Sequence, residues 1–340
     1  MKLLPSGVAA ILAACARVSF PYFDSAMPHR AADGFRNNYP HADKGGFWRW
    51  KWDQLRDGLP RNPEEGYRFA TATPDLVANP SVTWVGHATV LLRMGGLSLL
   101  TDPHFSERAS PVTFAGPKRV VPPVPALDGL PHIDAVVISH NHYDHLDQES
   151  VRRLAEQPGG SPRFFVPLGL KDWFARRGIQ DVVELDWWES MEYRGLRIDF
   201  VSVQHWSKRT LSDENQTLWG GWVIRHPELS FFFAGDAGHS KDFGDIREKF
   251  GGFDLAAIPI GAYAPRWFMR IMHLDPAEAV RAHQDLNARQ SLAIHWGTFA
   301  NLTDESLYEP PLKLVEERRK AGLADDAFLV LRHGETLVLR

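Results

Sequence analysis

The residues best suited to chemistry in this chain are crowded into one short stretch, residues 140–147. That stretch reads His140, Asn141, His142, Tyr143, Asp144, His145, Leu146, Asp147. Imidazole nitrogens and carboxylate oxygens are ligands that zinc prefers. An apolar run over residues 133–138 precedes it and predicts a strand, so His140 and His142 point the same way if that strand continues. Asp144 and His145 lie past the turn, which indicates a second ion.

Three further candidate ligands each follow an apolar run that predicts a strand. They are His205, Asp236 and His295. A single histidine near a strand end is often only a hydrogen-bonded structural residue. Three polar groups in such positions favour a shared site, because they would add one histidine for each metal and one carboxylate able to bridge.

The elements that must position these residues alternate between strands and helices. The pattern predicts strands over residues 81–85, 90–93, 97–101, 163–166, 181–185, 196–203, 219–225, 229–234, 255–259, 292–295, 328–331 and 336–339. Gly95 and Gly96 predict a hairpin turn. Helices are predicted over residues 170–177, 276–286 and 311–321, with another beginning after Asp147. Asp275 and Glu278 predict a capping box at the start of the second of these helices.

Composition and charge narrow the class of protein. The chain has 340 residues, 44% hydrophobic and 24% charged, with a net charge of −4. No basic block stands out, so we expect no nucleic-acid partner. Twelve tryptophans and twenty phenylalanines suit a large core and also suit contact with lipid. With neither repeats nor a linker, we predict one hydrolase domain over residues 76–340 after an extension at 16–75.

The amino terminus and one aromatic stretch each allow two interpretations. The single cysteine, Cys15, ends a Leu-Ala-Ala-Cys sequence that resembles a bacterial lipobox. It predicts a signal peptide over residues 1–15, lipid attachment and an envelope location; if the match is incidental, we expect a peripheral cytoplasmic protein. Residues 46–52 alternate aromatic and basic side chains. They indicate a half-buried strand packed on the main domain or an interfacial patch.

The candidate ligands and their flanking segments resemble a known family. His-x-His-x-Asp-His at 140–145, with His205, Asp236 and His295, resembles the metallo-β-lactamase superfamily. Several segments resemble bacterial members of the N-acyl-phosphatidylethanolamine-hydrolysing phospholipase D family: WVGHAT at 84–89, LTDP at 100–103, ELDWW at 184–188, QHWSKRT at 204–210, FFAGD at 232–236, PIGAY at 259–263 and AIHWGTF at 293–299. The resemblance implies an α/β fold, a four-layer αββα sandwich with two mixed β-sheets.

The resemblance also implies a ligand set and a reaction. By that resemblance, one of two Zn²⁺ ions would be held by His140, His142 and His205, the other by Asp144, His145 and His295, and both by Asp236. Such pairs lower the pKa of bound water and neutralise charge on a phosphoryl oxygen. The implied reaction is hydrolysis of N-acyl-phosphatidylethanolamine to an N-acylethanolamine and phosphatidic acid. The implied partners are a phospholipid and a membrane surface, with a homodimer left open.

Other residues have expected supporting roles. His273 precedes the capping box, and its place beside a helix N-terminus suits an acid or a phosphate donor. Asp147 is either a carboxylate that orients a ligand or a helix N-cap, and His87 and Asp102 either support the site or bond within the core. The remaining expected substrate contacts are Arg266, Trp267 and Met272, in a segment that is either a lipid-facing wall or a buried loop. Mammalian members of the family carry glutamine at the position of Met272, so substrate contacts differ there.

Two rival functions stay open from the sequence. One keeps the fold and the metals but acts on another ester, a lactone or a sugar phosphate. The other is a non-catalytic envelope lipoprotein that binds metal or lipid.

Overall fold

Two seven-stranded β-sheets dominate the computed structural model, which describes residues 20–39, 41, 45–59 and 70–339. Cys15 and the predicted lipobox lie outside the described residues. The strands are β1 Arg30–Ala31, β2 Gly34–Phe35, β3 Ser81–Gly86, β4 Thr89–Met94, β5 Leu97–Thr101, β6 Lys118–Arg119, β7 Ala135–Val137, β8 Arg163–Pro167, β9 Val182–Leu185, β10 Ser190–Tyr193, β11 Leu196–Val201, β12 Gly221–His226, β13 Leu229–Phe233, β14 Phe253–Pro259, β15 Ala288–Ile294, β16 Phe299–Ala300, β17 Phe328–Leu329 and β18 Thr336–Val338. The helices are α1 Phe47–Asp57, α2 Gln148–Ala155, α3 Lys171–Ala175, α4 Asp242–Phe250, α5 Arg266–Met269, α6 Pro276–Asp285 and α7 Glu309–Lys320, with a 3₁₀ turn at Leu127–Gly129.

Both large sheets are mixed. The first has the order β18-β3-β4-β5-β7-β8-β9, antiparallel as far as β5 and parallel from β5 to β9. The second has the order β10-β11-β12-β13-β14-β15-β17, antiparallel as far as β13 and parallel beyond it. The parallel strands matter for function, because the loops after their carboxyl ends meet at one edge of each sheet.

Alternating side chains divide the core into layers. Val90 and Leu92 of β4 pack between the two sheets, whereas Leu91 packs on the outer face of the first sheet with Val151 of α2 and Phe174 of α3. Helices α4, α6 and α7 cover the second sheet. This period of two is the alternation expected of strands with both faces covered. The predicted four-layer αββα sandwich is confirmed.

Local signals in the sequence were informative where turn and cap chemistry is strict. Gly95 and Gly96 both have left-handed φ, 59° and 78°, and join β4 to β5 as the predicted hairpin. The Asp275 carboxylate accepts a hydrogen bond from Glu278 N–H at 2.8 Å, and the reciprocal bond completes the predicted capping box of α6. Helix α4 and strand β10 were not predicted.

The aromatic stretch at 46–52 begins a helix, so its interpretation as a strand is wrong. Gly46 has φ of 111°, and α1 starts at the next residue. The ring of Trp50 is buried and stacks on Phe268 with 5.2 Å between centroids. Trp48 and Trp52 are 82% and 64% exposed. Among the described residues, no helix is both long and apolar enough to cross a membrane.

The segment at residues 20–39 is held on the main body by buried contacts. Phe35 is 1% exposed and its ring meets Phe20 edge-on at 4.9 Å. The buried carboxylate of Asp186, just after β9, accepts hydrogen bonds from His29 Nε2 at 2.8 Å and Arg30 Nε at 2.9 Å. Burial opposes ionisation of Asp186, but these bonds outweigh it and lower the pKa of the carboxyl below its usual 3.8.

Candidate metal centre

The seven predicted ligands come from four loops that follow strand ends. Residues 139–147 follow β7 in the first sheet, while the loops after β11, β13 and β15 in the second sheet supply the other ligands: His205, Asp236 and His295. The structure brings all seven together, buried except for His142 and Asp144, which are partly exposed.

The first group of donor atoms comprises His140, His142, His205 and Asp236, whose ligand atoms lie within 4.8 Å of one another. Nδ1 of His142 is 2.8 Å from His140 Nε2 and 3.3 Å from His205 Nε2. Oδ2 of Asp236 lies 3.9 Å from His140 Nε2 and 3.8 Å from His205 Nε2. Three imidazoles and one carboxylate are a donor set that suits zinc.

The second group comprises Asp144, His145, His295 and also His87. Nε2 of His145 lies 3.1 Å from Asp236 Oδ2, and Nε2 of His295 lies 3.1 Å from Asp236 Oδ1. Oδ2 of Asp144 is 3.3 Å from His295 Nε2 and 3.1 Å from His87 Nε2. Asp236 therefore faces both groups, as expected for a bridging carboxylate.

Hydrogen bonds behind the rings determine which nitrogens face the site. His205 Nδ1 donates to Met272 C=O at 2.9 Å, and His145 Nδ1 donates to Asp102 Oδ2 at 2.7 Å. Ser139 Oγ donates its only proton to Asp102, so it accepts from His140 Nδ1 at 2.9 Å. Because Nδ1 carries the proton in each of these neutral rings, each Nε2 has a free lone pair that faces the site. Orienting bonds of this kind are typical of metal-binding histidines.

Three Nε2 lone pairs thus lie within 3.9 Å of one carboxylate oxygen, Asp236 Oδ2, away from solvent. Lone pairs and a carboxylate cannot satisfy one another, and burying them without a cation is costly. Burial opposes protonation of His145, yet Asp236 and Asp144 raise its pKa well above 6.5. One proton on His145 would relieve only part of the repulsion. The donor set therefore fits divalent cations.

Asp102, for which the sequence left open either support of the site or a hydrogen bond within the core, is the main organiser of the first loop. Its fully buried carboxylate accepts from Ser139 N–H at 2.7 Å, Ser139 Oγ at 2.5 Å and His145 Nδ1 at 2.7 Å. Ser139 was missed by the sequence reasoning, although a polar residue directly between an apolar strand and His140 was a usable signal.

Backbone strain collects around the donors. His295, His87 and Asp102 have left-handed φ values of 62°, 54° and 34°. Non-glycine residues seldom adopt this conformation, and it is often found at functional sites. Before Asp236, glycine is required: Gly235 has φ of 61°, and a Cβ there would lie 2.5 Å from Ser139 Cβ. This close approach places Asp236 beside the loop that carries His140.

His273 lies beside Asp236 in the structure. Its Nδ1 is 3.8 Å from Asp236 Oδ2, and it is grouped with Asp236 and His295. That buried nitrogen has no hydrogen-bond partner among the described residues. Burial is the main reason that the pKa of His273 falls to about 4.

Arg266 makes contacts that differ from the role expected of it, whereas Asp147 occupies the N-cap position that was one of its two interpretations. The Arg266 guanidinium bonds Glu278 at 2.5 Å, Asp275 at 3.3 Å and His273 C=O at 2.8 Å, so it braces His273 rather than facing a substrate. Asp147 stands at the N-cap position of α2 without a side-chain cap bond. Its carboxylate accepts from the Ser106 and Ser150 hydroxyls and from no predicted metal ligand.

Trp267 and Met272 occupy different surroundings. Trp267 is 45% exposed beneath the Arg49 guanidinium, which lies 4.5 Å from its ring centre. Met272 is buried with Trp50, Phe268 and Met269.

Comparison with known proteins agrees with the fold. Residues 98–296 match the family model of the beta-lactamase superfamily domain. Among solved structures, the isothiocyanate hydrolase from Delia radicum gut bacteria aligns with a TM-score of 0.59 and 21% identity, covering 76% of this chain and 98% of that one. This likeness shows the fold alone. Fold and donor set together define a metallohydrolase of the β-lactamase superfamily.

Sequence relatives define the family more narrowly. N-acyl-phosphatidylethanolamine-hydrolyzing phospholipase D 1 of Caenorhabditis elegans is 45% identical over 264 residues, 74% of this chain and 74% of the relative. The mitochondrial N-acyl-phosphatidylethanolamine-hydrolyzing phospholipase D of Saccharomyces cerevisiae is 37% identical over 72% of this chain and 53% of that protein. The chain belongs to the N-acyl-phosphatidylethanolamine-hydrolysing phospholipase D family.

The role of Asp102 can be separated from that of Asp147 by exchanging each carboxylate for an amide. Asp102→Asn removes the charge that holds His145 Nδ1–H, and we expect zinc affinity to fall about 10- to 100-fold. Asp147→Asn should leave zinc affinity within about threefold, since its carboxylate contacts no ligand. Competition with a chromophoric chelator measures both. Equal losses in the two variants would contradict the assignment.

Proposed function

We propose that the protein is a dizinc phospholipase D that cleaves the phosphodiester of N-acyl-phosphatidylethanolamine, releasing an N-acylethanolamine and phosphatidic acid. The observation that carries the proposal is the pair of donor groups sharing Asp236, with His273 and an apolar cluster beside them. The relatives in C. elegans and S. cerevisiae are named for this activity.

The residues present would hold two ions. The first would be held by His140, His142 and His205, the second by Asp144, His145 and His295, and both by Asp236. When bound, two zinc ions supply positive charge for the phosphoryl oxygens and lower the pKa of water. We assign His87 to orienting Asp144, because its Nε2 lies 3.1 Å from Oδ2 of that carboxylate.

His273 is the proposed contact to the phosphodiester. Its unpartnered Nδ1 lies near Asp236, where a phosphoryl oxygen would need a hydrogen-bond donor. The backbone around it is fixed: His273 N–H donates to Met269 C=O at 2.9 Å, and Arg266 donates to His273 C=O. A donor held in place before the reaction stabilises developing charge without reorganising.

An apolar cluster next to the donor groups would accommodate acyl chains. Trp50, Phe268, Met269 and Met272 form its buried part, and Trp206 packs against it. The ring of Trp206 lies 4.8 Å from the ring of His142. Methionine side chains adapt to irregular apolar ligands. Arg266 is left out of the substrate contacts because its guanidinium is already paired.

We also infer that one face of α1 binds a membrane surface. Trp48, Trp52 and Leu55 lie at i, i+4 and i+7 and are 82%, 64% and 78% exposed. Basic side chains of α1 flank them: Arg49, Lys51 and Arg56. Exposed rings beside cations suit the interface of an anionic bilayer. The opposite face of α1 carries Trp50, which is part of the apolar cluster. Lipid attachment at Cys15 and a homodimer stay predictions.

Turnover of the lipid tests the proposed activity. Zinc-loaded protein incubated with N-acyl-phosphatidylethanolamine should release N-acylethanolamine and phosphatidic acid, both detected by mass spectrometry. His273→Ala should lower kcat/KM about 100-fold with two zinc ions retained, because one hydrogen-bond donor to the phosphoryl group is lost. His239→Ala is the matched control, since that histidine pairs with Asp285 at 2.9 Å outside the donor groups.

Asp236→Ala should abolish turnover together with metal binding. If the zinc-loaded protein hydrolyses neither this lipid nor other phosphodiesters, the phospholipase proposal is wrong. If the protein instead hydrolyses a lactone or a sugar phosphate, it is still a hydrolase, but the proposed substrate is wrong.

Vesicle sedimentation tests the membrane surface. The double variant Trp48→Ala, Trp52→Ala should bind vesicles containing phosphatidylglycerol at least about tenfold more weakly than the wild type. The reason is that two large rings are no longer transferred from water into the bilayer interface on binding. Leu55→Ser should weaken binding, whereas Leu312→Ser should not, since Leu312 is a 71% exposed residue on a different helix, α7. Unchanged vesicle binding of the double variant would contradict the proposal that this face of α1 binds a membrane.

A further inference from the structure

A side chain of the amino-terminal segment contacts the backbone of a candidate metal ligand. Asn37 Oδ1 accepts a hydrogen bond from His205 N–H at 3.0 Å, and Asn37 Nδ2 donates to His205 C=O at 2.9 Å. The two residues are far apart in the chain. The amide of Asn37 thus makes the two bonds that a residue of a neighbouring antiparallel strand would make.

His205 needs such a partner because it lies beyond the regular sheet. Strand β11 ends at Val201, and Gln204 forms only an isolated bridge with Gly238. The backbone polar groups of His205 would otherwise lack a ladder partner while the residue is 1% exposed. Its ring is fixed separately, by the bond from Nδ1 to Met272 C=O. Asn37 therefore sets the position of the backbone, and Met272 sets the tautomer of the ring.

The orientation of the Asn37 amide is itself determined by its surroundings. Oδ1 also accepts from Trp219 Nε1 at 3.1 Å, and Nδ2 lies 3.0 Å from His41 Nε2. Exchanging the oxygen and nitrogen would set Nδ2 against two N–H donors. The segment that carries Asn37 is anchored by the buried Phe35 and by the bonds from His29 and Arg30 to Asp186.

We propose that Asn37 is a positioning residue for the metal ligand His205, so that the amino-terminal segment forms part of the metal centre. The inference rests on the proposed function only in that His205 binds an ion. It assigns to residues 20–39 a role that their proline-broken sequence does not indicate. Only the ion held by the first donor group depends on it, because Asn37 contacts no residue of the second group among its hydrogen bonds in the described structure.

Cobalt titration of the full-length protein tests this inference without any lipid. Metal-free Asn37→Ala, Asn37→Asp and wild-type protein are titrated with Co²⁺, and each equivalent is followed by its visible absorption. In Asn37→Ala we expect the affinity for one of the two Co²⁺ equivalents to fall about 10- to 100-fold, which is typical of losing an orienting contact. The affinity for the other equivalent should stay within about threefold of the wild type. The weakened equivalent should be the one that His205→Ala abolishes and His295→Ala retains.

Two further variants make the outcome decisive. Asn38→Ala is the matched control, because the neighbouring asparagine donates to Asp242 at 3.1 Å and not to a ligand. Asn37→Asp keeps both acceptor bonds of Oδ1 but replaces the amide nitrogen, which donates to His205 C=O and also lies 3.0 Å from His41 Nε2. It should lower the affinity for the same equivalent, and it serves as the test if Asn37→Ala fails to fold.

Unchanged affinities in both Asn37 variants, equal weakening of both equivalents, or the same loss in Asn38→Ala would each overturn the inference. If the wild type binds two cobalt ions in these measurements, the metal centre of the proposed function stands whatever the Asn37 variants do. If the wild type binds fewer than two, the two-metal assignment falls and this inference falls with it.

Discussion

Imidazole lone pairs and carboxylate oxygens converge on Asp236 inside the protein, where neither can be left without a partner. Three Nε2 atoms lie within 3.9 Å of Asp236 Oδ2. In each of these rings Nδ1 donates a hydrogen bond on the side away from Asp236. In water such an arrangement would separate; here the hydrogen bonds behind each ring hold it together. Divalent cations would remove this repulsion, and the hydrogen bonds behind the rings hold the donors in positions that fit such ions.

The contacts that hold these donors in place differ from one loop to the next, and each can be traced to local structure. The first loop is held by the Asp102 carboxylate, which collects Ser139 and His145. His295 takes a left-handed conformation at the end of β15. His205, beyond the end of β11, is held by Met272 on its ring and by Asn37 on its backbone. The candidate ligands follow the ends of strands in the two sheets, and hydrogen bonds from neighbouring residues fix their orientation.

Sequence reasoning succeeded where the chemistry is local or the spacing is strict. The strand preceding His140, the positions of His205, Asp236 and His295 after later strands, and the capping box between Asp275 and Glu278 all depend on neighbours within a few residues. It failed for α1, because alternating aromatic and basic residues over 46–52 imitate the period of a strand. In the helix the same residues separate into the exposed Trp48 and Trp52 and the buried Trp50.

Other roles depend on pairings that no local pattern encodes. Arg266 was an expected substrate contact, yet it pairs with Asp275 and Glu278 of the helix that follows it. Asn37 meets His205 only because residues 20–39 lie against the loop after β11. Asp102 meets Ser139 and His145 only because β5 and β7 pair.

The central claim is that two donor groups sharing Asp236 each bind one metal ion. Anomalous diffraction at the zinc edge, from crystals grown with zinc, tests it most directly. The account predicts two peaks per chain, one among His140, His142 and His205 and one among Asp144, His145 and His295, with Asp236 contacting both. A single peak, or two peaks of which Asp236 contacts only one, would contradict it.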